Sequence, residues 1–468
     1  MIHKFLFIPP CFKPTLFRYI SYIVMARVKL SKEAKLDLIS KLDQYQKQAF
    51  DLMSKGDNVF ISGEAGSGKS LLLSIFAACN DKKVLKVAPT GVAALNINGV
   101  TIHSAFGYGN LLESSHNDLI NNGIVLSHAK RQLLKKVSTI VVDEASMLRS
   151  DVFEKMDLIL RIVNKTDKPF GGKQMILIGD IFQLPPVVRN EEIEFIKKAY
   201  GGIFFYDANI YKEGNFKFIE LKDNHRQNKD TKFRDVLNHI RVGKISEADI
   251  EILNSRLVKN EDKIKDILRL FATRKEVDEF NTNQLSLIKS NEFINSAEIL
   301  FNKYENSKVN FESNFMCPEV LRLKEGAIVM FVQNDERRRW VNGTIGTVVG
   351  FLDRYIKVKV KDKTYNVEPV EFTIKEAQLI DNEVIYTDTV AILQYPLMLA
   401  YAITIHKSQG LTYDEVSIDL SKCFMEGQGY VALSRATSLS GLHLCKKIES
   451  KHLKSSKDNS RFYSSLKN

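Results

Sequence analysis

Residues 63–70, Gly-Glu-Ala-Gly-Ser-Gly-Lys-Ser, leave this chain few choices of fold. They lie between an apolar, β-branched run, NVFISG (58–63), and a stretch of helical period, SLLLSIFAACN, that follows Lys69. Glycines at this spacing let the backbone curl until successive N–H groups face one anion, and a helix starting there adds positive potential. The pattern is that of a loop closed on a nucleotide phosphate. Gly63, Glu64, Ala65, Gly66, Ser67 and Gly68 wrap the phosphate, Lys69 reaches the β and γ oxygens, and Ser70 offers a hydroxyl to magnesium. The alternative is a glycine-rich turn that binds nothing.

Three more runs, VLKVAPT (84–90), STIVVDEAS (138–146) and QMILIGD (174–180), are apolar on both faces. Helical stretches such as DVFEKMDLILRIVN, after Ser150, lie between several of these runs. Buried parallel strands covered by helices fit this pattern, and a doubly wound domain binds its ligands at the carboxyl ends of its strands. Each chemical motif sits at such an end. Asp143 and Glu144 follow STIVV, where one carboxylate can hold magnesium through water and the other can polarise an attacking water. Alone, the pair could be a solvated strand end; beside the phosphate loop it indicates nucleotide hydrolysis. Gln183, in GDIFQLPP, ends a further strand and can sense the γ-phosphate, unless this is a plain strand-to-turn exit.

A second α/β pattern covers ILRLFATRKEVDEFN (267–281), MLAYAITIHKSQG (398–410) and YDEVSIDL (413–420). Inside it, residues 320–375 alternate polar with apolar and turn at Gly and Asp, as a small antiparallel barrel would. A chain of 468 residues has room for two or three such units. No apolar run approaches the roughly 20 residues that a membrane helix needs, so no membrane partner is expected. Lys and Arg number 67 against 56 Asp and Glu, a net of +11, which suits a polyanionic partner or plain solubility. Five scattered cysteines without a CxxC pair argue for a reducing compartment. The first 24 residues hold Lys4, Lys13 and Arg18 but no acid, and Met25 could itself be a start. An over-long reading frame, a targeting peptide and a surface anchor compete there.

Taken in order, the segments LDQYQKQAF, APTGVAALNINGVTIHSAFG, DEAS, GDIFQLPPV, NHRQ, TIHKSQGLTYDEV and GYVALSRA resemble the motifs of superfamily-one helicases of the 5′-to-3′ branch. FEKMDLILRIVNKTDKPFGGKQMILIGD, above all Pro169-Phe170-Gly171-Gly172, resembles the signature of the petite-integration-frequency (Pif) family and separates the chain from RecD-type and Dda-type relatives. The resemblance implies two RecA-like parallel-sheet motor domains with ATP and Mg2+ in the cleft between them. It also implies a small insertion in the first domain, at about 104–136, and a small β-barrel inserted in the second. By the same match Gln46 reads the adenine. Arg226 and Arg435 act as cationic fingers, while Thr90, His103, Ser104, His406, Lys407 and Gln409 line a DNA strand. Without the match, either arginine could be a surface or ion-paired residue, and either histidine a satisfied loop residue.

The expected division is an extension at 1–37, a first motor domain at 38–225, and a second at 226–319 and 376–447. The barrel occupies 320–375, and a frayed basic tail runs over 448–468. The expected protein is a monomeric, DNA-stimulated ATPase and helicase acting on single-stranded and duplex DNA in replication, repair, recombination or telomere maintenance. It would be cytoplasmic in a bacterium, or nuclear or mitochondrial if the extension is a targeting segment. A nucleotide-switched loader that grips without unwinding shares the same phosphate site. A P-loop kinase would not need TIHKSQG and YVALSRAT.

Overall fold

The structure, a computed structural model, describes residues 30–80, 82–107, 126–223, 230–304 and 309–467. Strands β1 (Val59–Gly63), β2 (Val84–Ala88), β3 (Val100–Thr101), β4 (Thr139–Val142), β5 (Gln174–Gly179) and β6 (Lys217–Leu221) form one sheet in the order β3-β2-β4-β5-β1-β6. Every pairing in it is parallel. The pleat sends alternate side chains to opposite faces. Val59 and Ile61 join a core with α1 (Gln44–Lys55), α2 (Lys69–Cys79) and α3 (Gly91–Asn96). Phe60 points the other way, into a core with α4 (Ile102–Phe106), α5 (His128–Lys136) and α6 (Ser150–Asn164). This sandwich explains why β1, β4 and β5 are buried along their whole length.

The second lobe begins with α7 (Thr231–Arg241) and β7 (Arg269–Phe271). The chain then leaves it for an all-β excursion. β8 (Glu292–Ser296) pairs with β10 (Val320–Lys324), and β9 (Glu298–Asn302) lies between them in sequence. β11 (Ile328–Phe331), β12 (Ile345–Leu352), β13 (Tyr355–Val360) and β14 (Lys363–Val367) meander antiparallel around Phe331, Trp340 and Val358. β15 (Val370–Ile380) and β16 (Glu383–Gln394) make a long hairpin edged by β9, and β17 (Leu397–Leu399) returns to pair with β11. β18 (Ala402–Thr404), β19 (Val416–Ile418) and β20 (Leu442–Leu444) then complete a parallel sheet ordered β18-β7-β19-β20. α8 (Gln428–Leu433) and α9 (Lys457–Ser465) follow as the last two α-helices. The architecture of two RecA-like lobes with a β insertion in the second is as expected.

Three boundaries differ from the sequence reading. The β excursion runs from 292 to 399, so the limits 320 and 375 cut through it. The hairpin crosses to the first lobe, where Ala377 is buried in that lobe's core and the Tyr386 hydroxyl accepts from the Lys86 N–H at 3.1 Å. The tail is not frayed. In α9, Phe462 stacks on Tyr206 at 4.0 Å and Tyr463 meets Phe182 edge-on at 5.3 Å. Asn459 Nδ2 donates to the Ile181 carbonyl at 2.6 Å. Both rings are half-buried against first-lobe aromatics. The third boundary is the limit of the extension at 37, which interrupts the helix Lys32–Ser40, whose Leu38 is buried in the first lobe. Of the expected insertion at 104–136, residues 108–125 lie outside the described residues.

Candidate active site and strand track

The phosphate loop joins β1 to α2. Gly66 and Gly68 take φ of 91° and 80°, a region where a Cβ would be strained. The Lys69 ammonium folds onto the carbonyls of Gly63 and Glu64 at 2.8 and 2.9 Å. Burial lowers its proton affinity, while the carboxylates of Asp180, Glu144 and Asp143 raise it. Gln46 is set by a capping box with Asp43, and its Nε2 donates to the Ser67 carbonyl at 3.2 Å. It therefore braces the loop. Ser67 Oγ is buried with no hydrogen-bond partner among the described residues. Ser70 is exposed in the first turn of α2.

Asp143 and Glu144 follow β4, next to the end of β5. The chain passes so close there that a Cβ on Gly179 would lie 2.7 Å from the Ala145 nitrogen. Glu144 has φ of 51°, a strained value for a residue with a side chain, and strain of this kind collects at functional sites. Burial, and then the Asp143 carboxylate, pushes Glu144 up to about 7. Burial also raises Asp143, against the Glu144 N–H it accepts at 2.9 Å. A carboxyl near 7 can exchange a proton with water at neutral pH.

The raised value has a consequence for stability. With a folded pKa above the ordinary 4.5, Glu144 favours the folded state when protonated. That contribution is complete below the ordinary value and lost as pH rises through about 7. Glu144→Gln, which cannot ionise, is therefore expected to melt progressively further above the parent protein between about pH 5 and pH 8, while its turnover collapses. Thermal melts of the two proteins across that range check this; a gap independent of pH would contradict it.

The second lobe closes the site. Gln409 Nε2 donates to Glu144 Oε2 at 3.1 Å and to Gln183 Oε1 at 3.3 Å. Gln409, expected on the strand, thus has its amide on the carboxylate. Arg435 is fully buried, and its donors go to the carbonyls of Val431, Ser408 and Leu411 and to Ser434 Oγ. It holds the 404–411 segment in place, and its charge is felt at Glu144. Arg226 lies outside the described residues.

A cavity of about 580 Å³ between the lobes is lined by Thr90, His103, Glu144, His406, Lys407 and Gln409. Five of the six residues expected on the strand therefore share one cavity with the Glu144 carboxylate. Thr90 Oγ1 accepts from the Ala93 N–H at 3.2 Å, which starts α3. Ser104 Oγ instead turns to the Lys375 carbonyl of the hairpin at 3.4 Å. Burial lowers the proton affinity of both His103 and His406.

Sequence reasoning missed one group. Arg241, at the end of α7, pairs with Asp180 at 3.1 Å, and the Tyr430 hydroxyl donates to the same carboxylate at 3.1 Å. A lone arginine in the last turn of a helix reads as a partner of the helix dipole, and nothing local reveals the contact. The 169–172 signature proved structural. Phe170 is fully buried against Phe153 and Phe216, and its N–H donates to Asp157 Oδ1 at 2.5 Å.

Comparison with known proteins fits this geometry. The sequence model of the PIF1-like helicase family matches residues 41–251, and that of the DNA helicase Pif1 2B domain matches 307–351. The chain is 35% identical to an ATP-dependent DNA helicase Pif1 of Bdellovibrio bacteriovorus, over 91% of its own length and 93% of that protein. Among solved structures it resembles Bacteroides sp Pif1 in complex with ADP-AlF4, with a TM-score of 0.81 and 32% identity over 91% and 97% of the two chains. Against Bacteroides Pif1 bound to ssDNA the TM-score is 0.66, at 33% identity over 91% and 98%.

Proposed function

This chain belongs to the Pif1 family of ATP-dependent DNA helicases, and on that premise we propose that it travels 5′-to-3′ on single-stranded DNA and splits the duplex ahead. The observation that carries the reading is the shared cavity. Groups suited to a strand come from both lobes, and Gln409 beside them is bonded to Glu144 and Gln183. A strand that moves the 404–411 segment therefore moves a hydrogen bond on the hydrolytic carboxylate. This is a direct physical route from DNA to ATP.

In this reading Gln46 sits beside the base and the loop 63–70 wraps the phosphates, with Lys69 neutralising their charge. Glu144 takes the proton of the attacking water while Gln183 orients it, and Arg435 brings positive charge from the second lobe. Hydroxyl and carboxylate oxygens at Ser70 and Asp143 suit a hard divalent cation, and two buried carboxylates, both with raised proton affinity, call for one. Magnesium held by Ser70 and Asp143 would offset phosphate charge. Thr90, His103, His406 and Lys407 contact the strand, with Ser104 at its edge under the hairpin. Bacteroides Pif1 solved on ssDNA supports the choice of partner. Among the described residues no helix is long and apolar enough to cross a membrane. The process served lies in DNA replication, repair, recombination or telomere maintenance. The test is ATP-driven strand displacement from tailed duplexes; ATP hydrolysis without displacement would favour a nucleotide-switched grip.

A further inference from the structure

The hydrolytic site reads a second-lobe arginine that the motif set leaves out. α7 is packed in the second lobe through Phe233, Val236, Leu237 and Ile240, yet its last residue, Arg241, reaches into the first. Its guanidinium lies against the rings of Phe182 and Tyr463, at 4.9 and 5.6 Å from their centroids. Nε donates to both oxygens of Asp180, at 3.1 and 3.3 Å, and Nη1 faces Glu220 at 3.5 Å. Nη2 is buried and has no partner among the described residues.

Burying a charged donor unpaired is costly, and the neighbours show where a partner would come from. Asp180 begins the turn that carries Gln183, whose N–H donates to the Asp180 carbonyl at 2.9 Å. Arg241 is near enough to Lys69 to depress its proton affinity, and near enough to Glu64 of the loop to be stabilised by it. The guanidinium is therefore held flat, by one edge, beside a site that gathers positive charge.

We propose that Arg241 reads the terminal phosphate of ATP: with nucleotide on the loop, Nη2 donates to a γ-phosphate oxygen while Nε stays on Asp180. Arg241 thereby ties α7, and with it the second lobe, to the presence of the third phosphate. ADP, lacking that oxygen, leaves Nη2 without this contact. The inference rests on the reading that nucleotide occupies 63–70.

Arg241→Lys keeps a cation for Asp180 but has no second nitrogen to offer. Binding of fluorescent ADP and of a fluorescent non-hydrolysable ATP analogue is measured for the parent, R241K, R241Q and Y430F. In R241K, ADP affinity is expected within about twofold of the parent, while analogue affinity falls about tenfold or more, the worth of one charge-assisted hydrogen bond. Y430F, which loses only the other Asp180 contact, keeps the parent's preference for the triphosphate. Should R241K and R241Q, folded by circular dichroism, retain that preference, the proposal is overturned. Equal loss of both nucleotides in R241K and Y430F overturns it too, because a mere strut between the lobes behaves that way. Lys69→Ala separately tests the site: undiminished binding of both nucleotides would remove them from the loop and not from Arg241 alone.

Discussion

Replacing Lys69 with alanine is expected to cut ATP turnover by on the order of 10³ or more while single-stranded DNA still binds. The lysine sits in the first turn of α2, and its ammonium is held by two loop carbonyls within range of three carboxylates. Its charge is the nearest one available to the β and γ oxygens in the proposed pose. Charge that develops on those oxygens during transfer would then lose the one cation that the loop itself supplies. The wall proposed for the strand is built from other segments, after β2, in α4 and in the 404–411 segment. ATPase rates with saturating strand, together with fluorescence anisotropy of a labelled oligonucleotide, check both halves. Loss of both activities in a folded variant would mean that the sites are not separate.

The second large effect is that of Arg435→Ala, which is expected to damage both halves. An arginine facing transferred phosphate is worth about 10³–10⁵ in rate. Here the guanidinium also donates to the carbonyls of Ser408 and Leu411, which flank Gln409. Alanine would leave the Leu411 carbonyl without its donor, strip the Ser408 carbonyl to the Leu411 N–H alone, and loosen the segment that carries His406 and Lys407. Turnover is therefore expected to fall by at least about 10³, and strand affinity by about tenfold. Arg435→Lys should rescue little, since one ammonium cannot replace a planar fork. Normal turnover in the alanine variant would exclude Arg435 from the cleft. Normal strand affinity would detach it from the 404–411 segment.

The first lobe was legible because its evidence is local. Each of the runs at 58–63, 84–90, 138–146 and 174–180 contains a strand of the observed sheet, with its motif at the carboxyl end. Such strands are apolar on both faces, and that signal survives without knowledge of neighbours. The β15–β16 hairpin lacked it, since its two ends pack on different bodies. Val390 and Ile392 face the second lobe, whereas Ala377 faces the first, so no single alternation runs through it. The tail failed for a related reason. Basic and serine-rich around Phe462 and Tyr463, it gives no hint that an aromatic cluster of the other lobe waits for those rings.

Within the site, the phosphate loop stood out by its spacing, and the Asp143–Glu144 pair by following a strand beside that loop. Gln409 and Arg241 did not. The one was assigned to the strand by resemblance, and its place on Glu144 depends on how two lobes meet. The other joins residues 61 positions apart, an ion pair that no periodicity encodes.

In the proposed function, strand movement and hydrolysis are coupled in one direction. Phosphate chemistry does not set that direction. In that proposed function it follows from which lobe would grip the strand when the cleft closes, with Thr90 and His103 on the first lobe and His406 and Lys407 on the second lining the shared cavity. Mixed with ATP and magnesium under single-turnover conditions, the full chain should open duplexes with a 5′ single-stranded tail and leave matched 3′-tailed and blunt duplexes largely closed. Preferential opening of the 3′-tailed duplex would contradict the account.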